Sequence, residues 1–209
     1  MKSYDVYLFD FDGTLFDTLD SLVGVYKTAL RSVGYDCTKE DAAKYMHMSL
    51  SETADLLHID DPASRNIFFE KTSEALDYPE YIKMIKMFPD VLNTLKALAK
   101  KKKTIGIVSG NTEKHISLVL NQFGIKDYFS FAVGSAPGRR PKPFADPILF
   151  ALRSIPTVSP KKVVYIGDSL QDPETAKNAG VDGVLLDRNH EHVSYKGKRI
   201  ATLKTLLPK

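Results

Sequence analysis

The feature that most limits what this chain can fold into is a change of rhythm near residue 104. From there, short apolar runs alternate with amphipathic runs of helix length. Residues 104–109, 128–133, 162–167 and 183–186 read as buried strands, the last of them as the final strand, and 112–123, 144–154 and 173–179 read as helices. Such alternation builds a parallel sheet with helices on both faces. One more strand, 5–9, stands far upstream and ends on Asp10. Its partners are separated from it by a stretch without convincing strands. A helix is expected over 18–33, where Leu19, Leu22, Val23, Tyr26, Leu30 and Val33 recur at spacings of three and four. Helical patterns follow near 40–46, 51–58, 63–77 and 80–87, broken at Asp60-Asp61-Pro62 and Tyr78-Pro79, with another over 89–99. The expectation is an α/β domain of residues 1–16 and 88–209, interrupted by a helical domain over 17–87.

Composition removes several classes of function. Among 209 residues, 29 are basic and 26 acidic, a net charge of +3 that gives no electrostatic ground for nucleic acid or an acidic membrane as partner. Lys100–Lys103 is read as a solvated helix end favoured by the helix dipole. No apolar run approaches the roughly 18 residues that span a bilayer. The first residues lack a signal peptide's apolar core. The single cysteine, Cys37, excludes an internal disulfide and reads as a spectator thiol. A cytoplasmic protein is expected; oligomeric state is not legible.

Sites on open parallel sheets form at the carboxyl ends of strands. Standing there are Asp10, Ser109 and Asp168. Asp10-Phe11-Asp12-Gly13-Thr14 places two acids two residues apart, on the same side of extended chain. Carboxylates that close repel unless one is protonated or a cation lies between them. The first escape gives a general acid; the second gives a site for a hard divalent cation, magnesium. Ser109-Gly110-Asn111 precedes a helix, where a hydroxyl and free N–H groups form a phosphate cradle; Asn111 as a helix N-cap is the plainer alternative. Lys142, between two prolines, is a candidate for holding a phosphate or neutralising a carboxylate. Asp168 is placed like Asp10, and adjacent parallel strands bring the two together. Asp172 precedes Pro173, so capping and catalysis compete there. Phosphate loops of the Gly-x-x-x-x-Gly-Lys-Ser/Thr kind, Gly-x-Gly-x-x-Gly and His-Glu-x-x-His are absent, and His190-Glu191-His192 is read as a solvated loop.

Taken in order, these strings resemble the four motifs of the haloacid dehalogenase-like hydrolases, in the branch with a helical cap inserted after the first motif. Asp10 to Thr18 is similar to the first, Ile107 to Asn111 to the second, Lys142 to Pro147 to the third, and Gly167 to Asp172, continued by Ala176 and Ala179-Gly180, to the fourth. The resemblance implies a Rossmann-like core, with the cap closing over the site, and a role for each residue. Asp10 is the nucleophile and becomes an aspartyl phosphate. Asp12 protonates the leaving oxygen and then activates water. Thr14, Ser109, Gly110, Asn111 and Lys142 bind substrate. Asp10, Asp12 and Asp168 hold Mg2+, with Asp172 behind them.

Asp12 sets the chain apart from family members that cleave carbon–halogen or carbon–phosphorus bonds, which lack that acid. Within the family the pattern is most similar to phosphoglycolate phosphatases, implying a small phosphorylated metabolite as substrate. The loop 45–50, Tyr-Met-His-Met-Ser-Leu, lacks the glycine usual in their cap. Polar cap residues His47, Arg65 and Lys83 are the candidates for substrate contact. Two alternatives stand beside this reading: a phosphomutase of the β-phosphoglucomutase type, and a catalytically silent binding module.

Overall fold

The computed structural model describes residues 3–207. Its centre is β1 (Val6–Phe9). All four side chains are buried, at 0–3% exposure, so both faces of this strand are covered. The chain then runs through β2 (Phe16–Asp17), α1 (Leu19–Arg31), α2 (Lys39–Tyr45), α3 (Leu50–Leu56), α4 (Pro62–Leu76), α5 (Pro79–Ile82) and β3 (Lys86–Met87). After α6 (Val91–Lys100) the alternation begins: β4 (Thr104–Val108), α7 (Glu113–Gln122), β5 (Phe131–Val133), α8 (Asp146–Arg153), β6 (Val163–Gly167), α9 (Gln171–Asn178), β7 (Asp182–Leu186) and β8 (Arg199–Ile200).

The strands form a six-stranded sheet in the order β5-β4-β1-β6-β7-β8, every pairing parallel. From β1 the order runs outward both ways, to β4 and β5 on one side and β6 to β8 on the other. That reversal opens a crevice at the carboxyl end of β1. Phe9 is in register with Ile107 and Ile166, so Ser109 and Asp168 stand one residue beyond the level of Asp10 on the flanking strands. Under the sheet, Val6, Leu8, Val108 and Tyr165 pack with Ile148 and Ala151 of α8 and Ala176 of α9.

The chain divides into two compact units, Met1–Phe16 with Met87–Lys209, and Asp17–Lys86. The second has a core of its own, with Leu22, Tyr26 and Leu30 of α1 packed on Ala42, Tyr45, Ala54 and Phe68. Its short helices are held by local chemistry. Thr38 with Asp41, and Ser49 with Glu52, form reciprocal capping boxes, and Asp61 caps α4 ahead of Pro62. Arg65 spends its guanidinium inside this unit, on Asp55 (2.6 Å) and the Ser51 hydroxyl (2.9 Å). Cys37 is buried there, and burial pushes its thiol up to about 11.

Several expectations need correction. The helix expected over 80–87 stops at Ile82, and Lys86–Met87 is instead a short strand paired with β2. The strand expected from 128 begins at Phe131, because Lys126–Tyr128 forms a 3-10 turn. Residues 183–186 are not the last strand: β8 adds an edge beyond β7. Its two residues are too few to show a period. The lysine run is solvated at Lys100, where α6 ends, and at Lys101 and Lys102, but Lys103 turns back to pair with Asp5 at 2.9 Å and is largely covered. His190-Glu191-His192 lies in a turn held by Asp187, which accepts from the N–H groups of Glu191 and His192.

Candidate active site

Asp10 closes β1 and is 6% exposed. Its N–H still donates to Ile166 of β6, at 2.8 Å, so the backbone is locked as far as Asp10. The chain then turns sharply at Gly13, whose φ is +67°. A Cβ at Gly13 would sit 2.0 Å from Asp168 Oδ2, so only glycine lets the two loops approach. Gly167 does the same for Asp172: a Cβ there would lie 2.1 Å from its carboxyl group.

Lys142 is the hub. Its ammonium lies 3.0 Å from Asp10 Oδ2 and 2.8 Å from Asp172 Oδ1. Burial works against that charge, but Asp10 and Asp172 outweigh it and hold the lysine's pKa well above its ordinary value. Asp172 is fully buried and also accepts from the Tyr165 hydroxyl (3.1 Å) and the Ser169 N–H (2.9 Å). It is not an N-cap. Helix α9 begins one residue earlier, after Leu170, and Asp172 lies inside the first turn with its carboxylate turned to the lysine.

Oxygens of Asp10, Asp168 and Asp172 lie within 4.8 Å of one another. One ammonium faces three acids. Burial lifts the Asp10 carboxyl well above the ordinary carboxylate range; Lys142 pulls it down, while Asp172, Asp168 and Asp12 push it further up. Asp168 is raised to about 7, first by burial and then by Asp172. These acids need a further positive charge to ionise together at neutral pH. An oxygen-only donor set of this kind fits a hard divalent cation. Asp10 and Asp168 are the acids suited to hold it, since both oxygens of Asp172 are already engaged.

The remaining candidates fall in two groups. The Ser109 hydroxyl accepts the N–H of Asn111 at 3.1 Å, which leaves its own proton to give. Gly110 is exposed beside it. Asn111 does not cap α7: Thr112 does, accepting from the His115 N–H. The Asn111 amide instead donates to Asp12 Oδ2 at 2.6 Å. Thr14 is completely buried and donates its hydroxyl to Asp168 Oδ1 at 3.0 Å.

Two supports were not read from sequence. The Tyr165 hydroxyl also lies 2.9 Å from the Val108 carbonyl, sharing its one proton between that oxygen and Asp172 and tying β6 to the end of β4. A tyrosine inside a strand of aliphatic residues is a signal, since its hydroxyl must find a partner in the core. Arg188 gave no such signal. It binds both oxygens of Asp90 (2.9 and 3.0 Å) and the Thr14 carbonyl (2.9 Å), fixing the loop after β1.

A carboxylate and lysine cluster at the switch point of a parallel sheet marks an α/β enzyme that handles a negatively charged group. Residues 7–186 match the haloacid dehalogenase-like hydrolases, and the chain belongs to that family. It is 30% identical over 202 residues to a Vibrio vulnificus (strain YJ016) protein named phosphoglycolate phosphatase, covering 88% of this chain and 84% of that one. A Vibrio cholerae protein of the same name is 28% identical over 210 residues, covering 92% and 88%. Among solved structures, a Bacteroides fragilis protein described as a haloacid dehalogenase-like hydrolase matches with a TM-score of 0.87 at 31% identity, over 98% of this chain and all of that one. A Lactobacillus plantarum structure matches with a TM-score of 0.85 over 99% of each chain; at 21% identity the likeness is one of fold. No helix among the described residues is long and apolar enough to cross a membrane.

Proposed function

We propose that this hydrolase cleaves small phosphomonoesters of the phosphoglycolate kind in the cytoplasm, through a phosphoryl group carried on Asp10. The observation that carries the reading is the Asp10 carboxylate at the switch point, with Lys142 at 3.0 Å and Asp12 two residues on. In the first step an Asp10 oxygen bonds to phosphorus and the ester O–P bond breaks. The leaving oxygen keeps that electron pair and takes a proton from Asp12. In the second step Asp12 takes a proton from water, whose oxygen bonds to phosphorus, and the bond to Asp10 breaks. The products are an alcohol and inorganic phosphate.

Phosphoryl transfer asks mainly for positioning and charge neutralisation. Lys142, the Ser109 hydroxyl and the Gly110 backbone are the groups assigned to the phosphoryl oxygens, Lys142 being steadied by Asp172 and Tyr165. Thr14 steadies Asp168. Magnesium, held by Asp10 and Asp168 with the Asp12 backbone carbonyl, would supply the charge these acids lack. The helical unit Asp17–Lys86 is assigned the choice of substrate.

The test is phosphate release from a panel of phosphorylated metabolites, with magnesium and after chelation. Phosphoglycolate and other small monoesters should be cleaved, and only with the metal. β-Glucose 1-phosphate with a trace of the 1,6-bisphosphate should give free phosphate faster than glucose 6-phosphate. The reverse order would make the protein a mutase. Undiminished turnover after chelation would remove the metal.

A further inference from the structure

Asn111 stands at an unusual junction. Its side chain leaves the end of β4 and reaches the loop after β1, where its amide nitrogen lies 2.6 Å from Asp12 Oδ2. It is 9% exposed. Its backbone is pinned on both sides: the N–H donates to the Ser109 hydroxyl at 3.1 Å, and the carbonyl accepts the Ser135 N–H at 2.7 Å. The space behind is closed too, since a Cβ at Gly134 would lie 2.5 Å from the Asn111 carbonyl oxygen. A residue held this firmly delivers its amide to one place.

An amide NH2 group can only donate, so Asp12 Oδ2 accepts in either protonation state. The same bond serves the carboxylate and the acid, and the side chain need not turn between the two steps.

We infer that Asn111 is a positioning residue for Asp12: by holding Oδ2 it fixes the carboxyl group that gives a proton to the leaving group and later takes one from water. This rests on the reading of Asp12 as the acid and base. It gives the Asn111 amide a role other than contact with the phosphoryl group. Placement of a proton donor is costly to lose, since displacement by about 1 Å can cost on the order of a hundredfold in rate.

The test uses leaving groups of different need. An alkoxide must be protonated as it leaves, whereas p-nitrophenolate departs without a proton. kcat/KM, which reports transfer to Asp10, is measured for p-nitrophenyl phosphate and for the alkyl phosphate cleaved fastest. Asn111→Ala, and the similarly sized Asn111→Leu, should lower kcat/KM for the alkyl ester by about tenfold or more and for the aryl ester by less than about threefold. In an Asp12→Ala background, Asn111→Ala should cost less than about twofold, because the two act as one unit. Equal losses on both esters, or the same loss with and without Asp12, would overturn the inference and return Asn111 to the phosphoryl group or to the fold. Failure of the parent reading looks different: Asp12→Ala itself would then show no preference between the esters.

Discussion

In the proposed reaction Asp10 must be both a buried carboxylate and a nucleophile, and these demands conflict. Burial among Asp12, Asp168 and Asp172 favours its neutral form, and Lys142 alone opposes that. Asp10→Asn separates the two demands. An amide of the same shape cannot attack phosphorus, so turnover should fall by more than about a hundredfold. The same change removes one charge from a cluster of like charges, and the variant should melt at or above the wild-type temperature in chelator. Calorimetry beside a phosphate-release assay reads both. Residual activity above a hundredth would move the nucleophile elsewhere, and a large loss of stability would show that Asp10 holds the fold rather than strains it. The acids were legible in the sequence because strand ends are where an α/β sheet keeps its chemistry. Which atom each donor serves was not: Thr14 and Asn111 both turn to carboxylates, a choice made by the neighbouring strands and invisible along one chain.

Elements with a clear apolar period were read correctly to within a residue or two, among them β1, α1, β4, α7 and β6. What failed was short or set from a distance. β8 spans two residues and exists because β7 offers an open edge, and β3 exists because β2 lies beside it. The turn after β1 was seen as a break, but its reason lies on another element. Gly13 has φ +67°, and its missing Cβ is the space into which Asp168 fits. Gly13→Ala should therefore act twice. Backbone strain should cost about 1 kcal/mol or more of stability, read by denaturant unfolding. Displacement of Asp168 should raise the magnesium concentration for half-maximal activity by about tenfold, as disturbed support of a ligand usually does. If the variant binds magnesium like the wild type, the loop and Asp168 are not coupled in this way.

At the scale of the whole molecule, the site is a local weakness that its cation should repair. The folded pKa of Asp168 is raised to about 7, by burial first and then by Asp172, and Asp10 moves the same way. A carboxyl raised above its unfolded value of about 3.9 contributes stability that is complete below that pH and is lost as pH climbs to the folded value. Lys142 is raised as well, so its contribution holds throughout this range and goes only at alkaline pH. Other acids pull in the opposite direction. Asp90 is lowered, because hydrogen bonds from Arg188, Thr202 and Leu203 outweigh its burial, and it loses its contribution on the acid side. The cluster is isolated by comparison with Asp168→Asn. In chelator, that variant should gain on the wild type steadily between about pH 4 and pH 7. Magnesium should then reverse the order at pH 7. At a hundred times its dissociation constant a ligand adds about 2.7 kcal/mol, which for a chain of this size is about 5–10 °C in Tm. The gain should be smaller at pH 5, where protons compete for the same oxygens, and nearly absent in Asp168→Asn. A melting temperature that ignores magnesium at pH 7, or rises more at pH 5, would mean that these acids hold no cation and that their repulsion is relieved by protons alone.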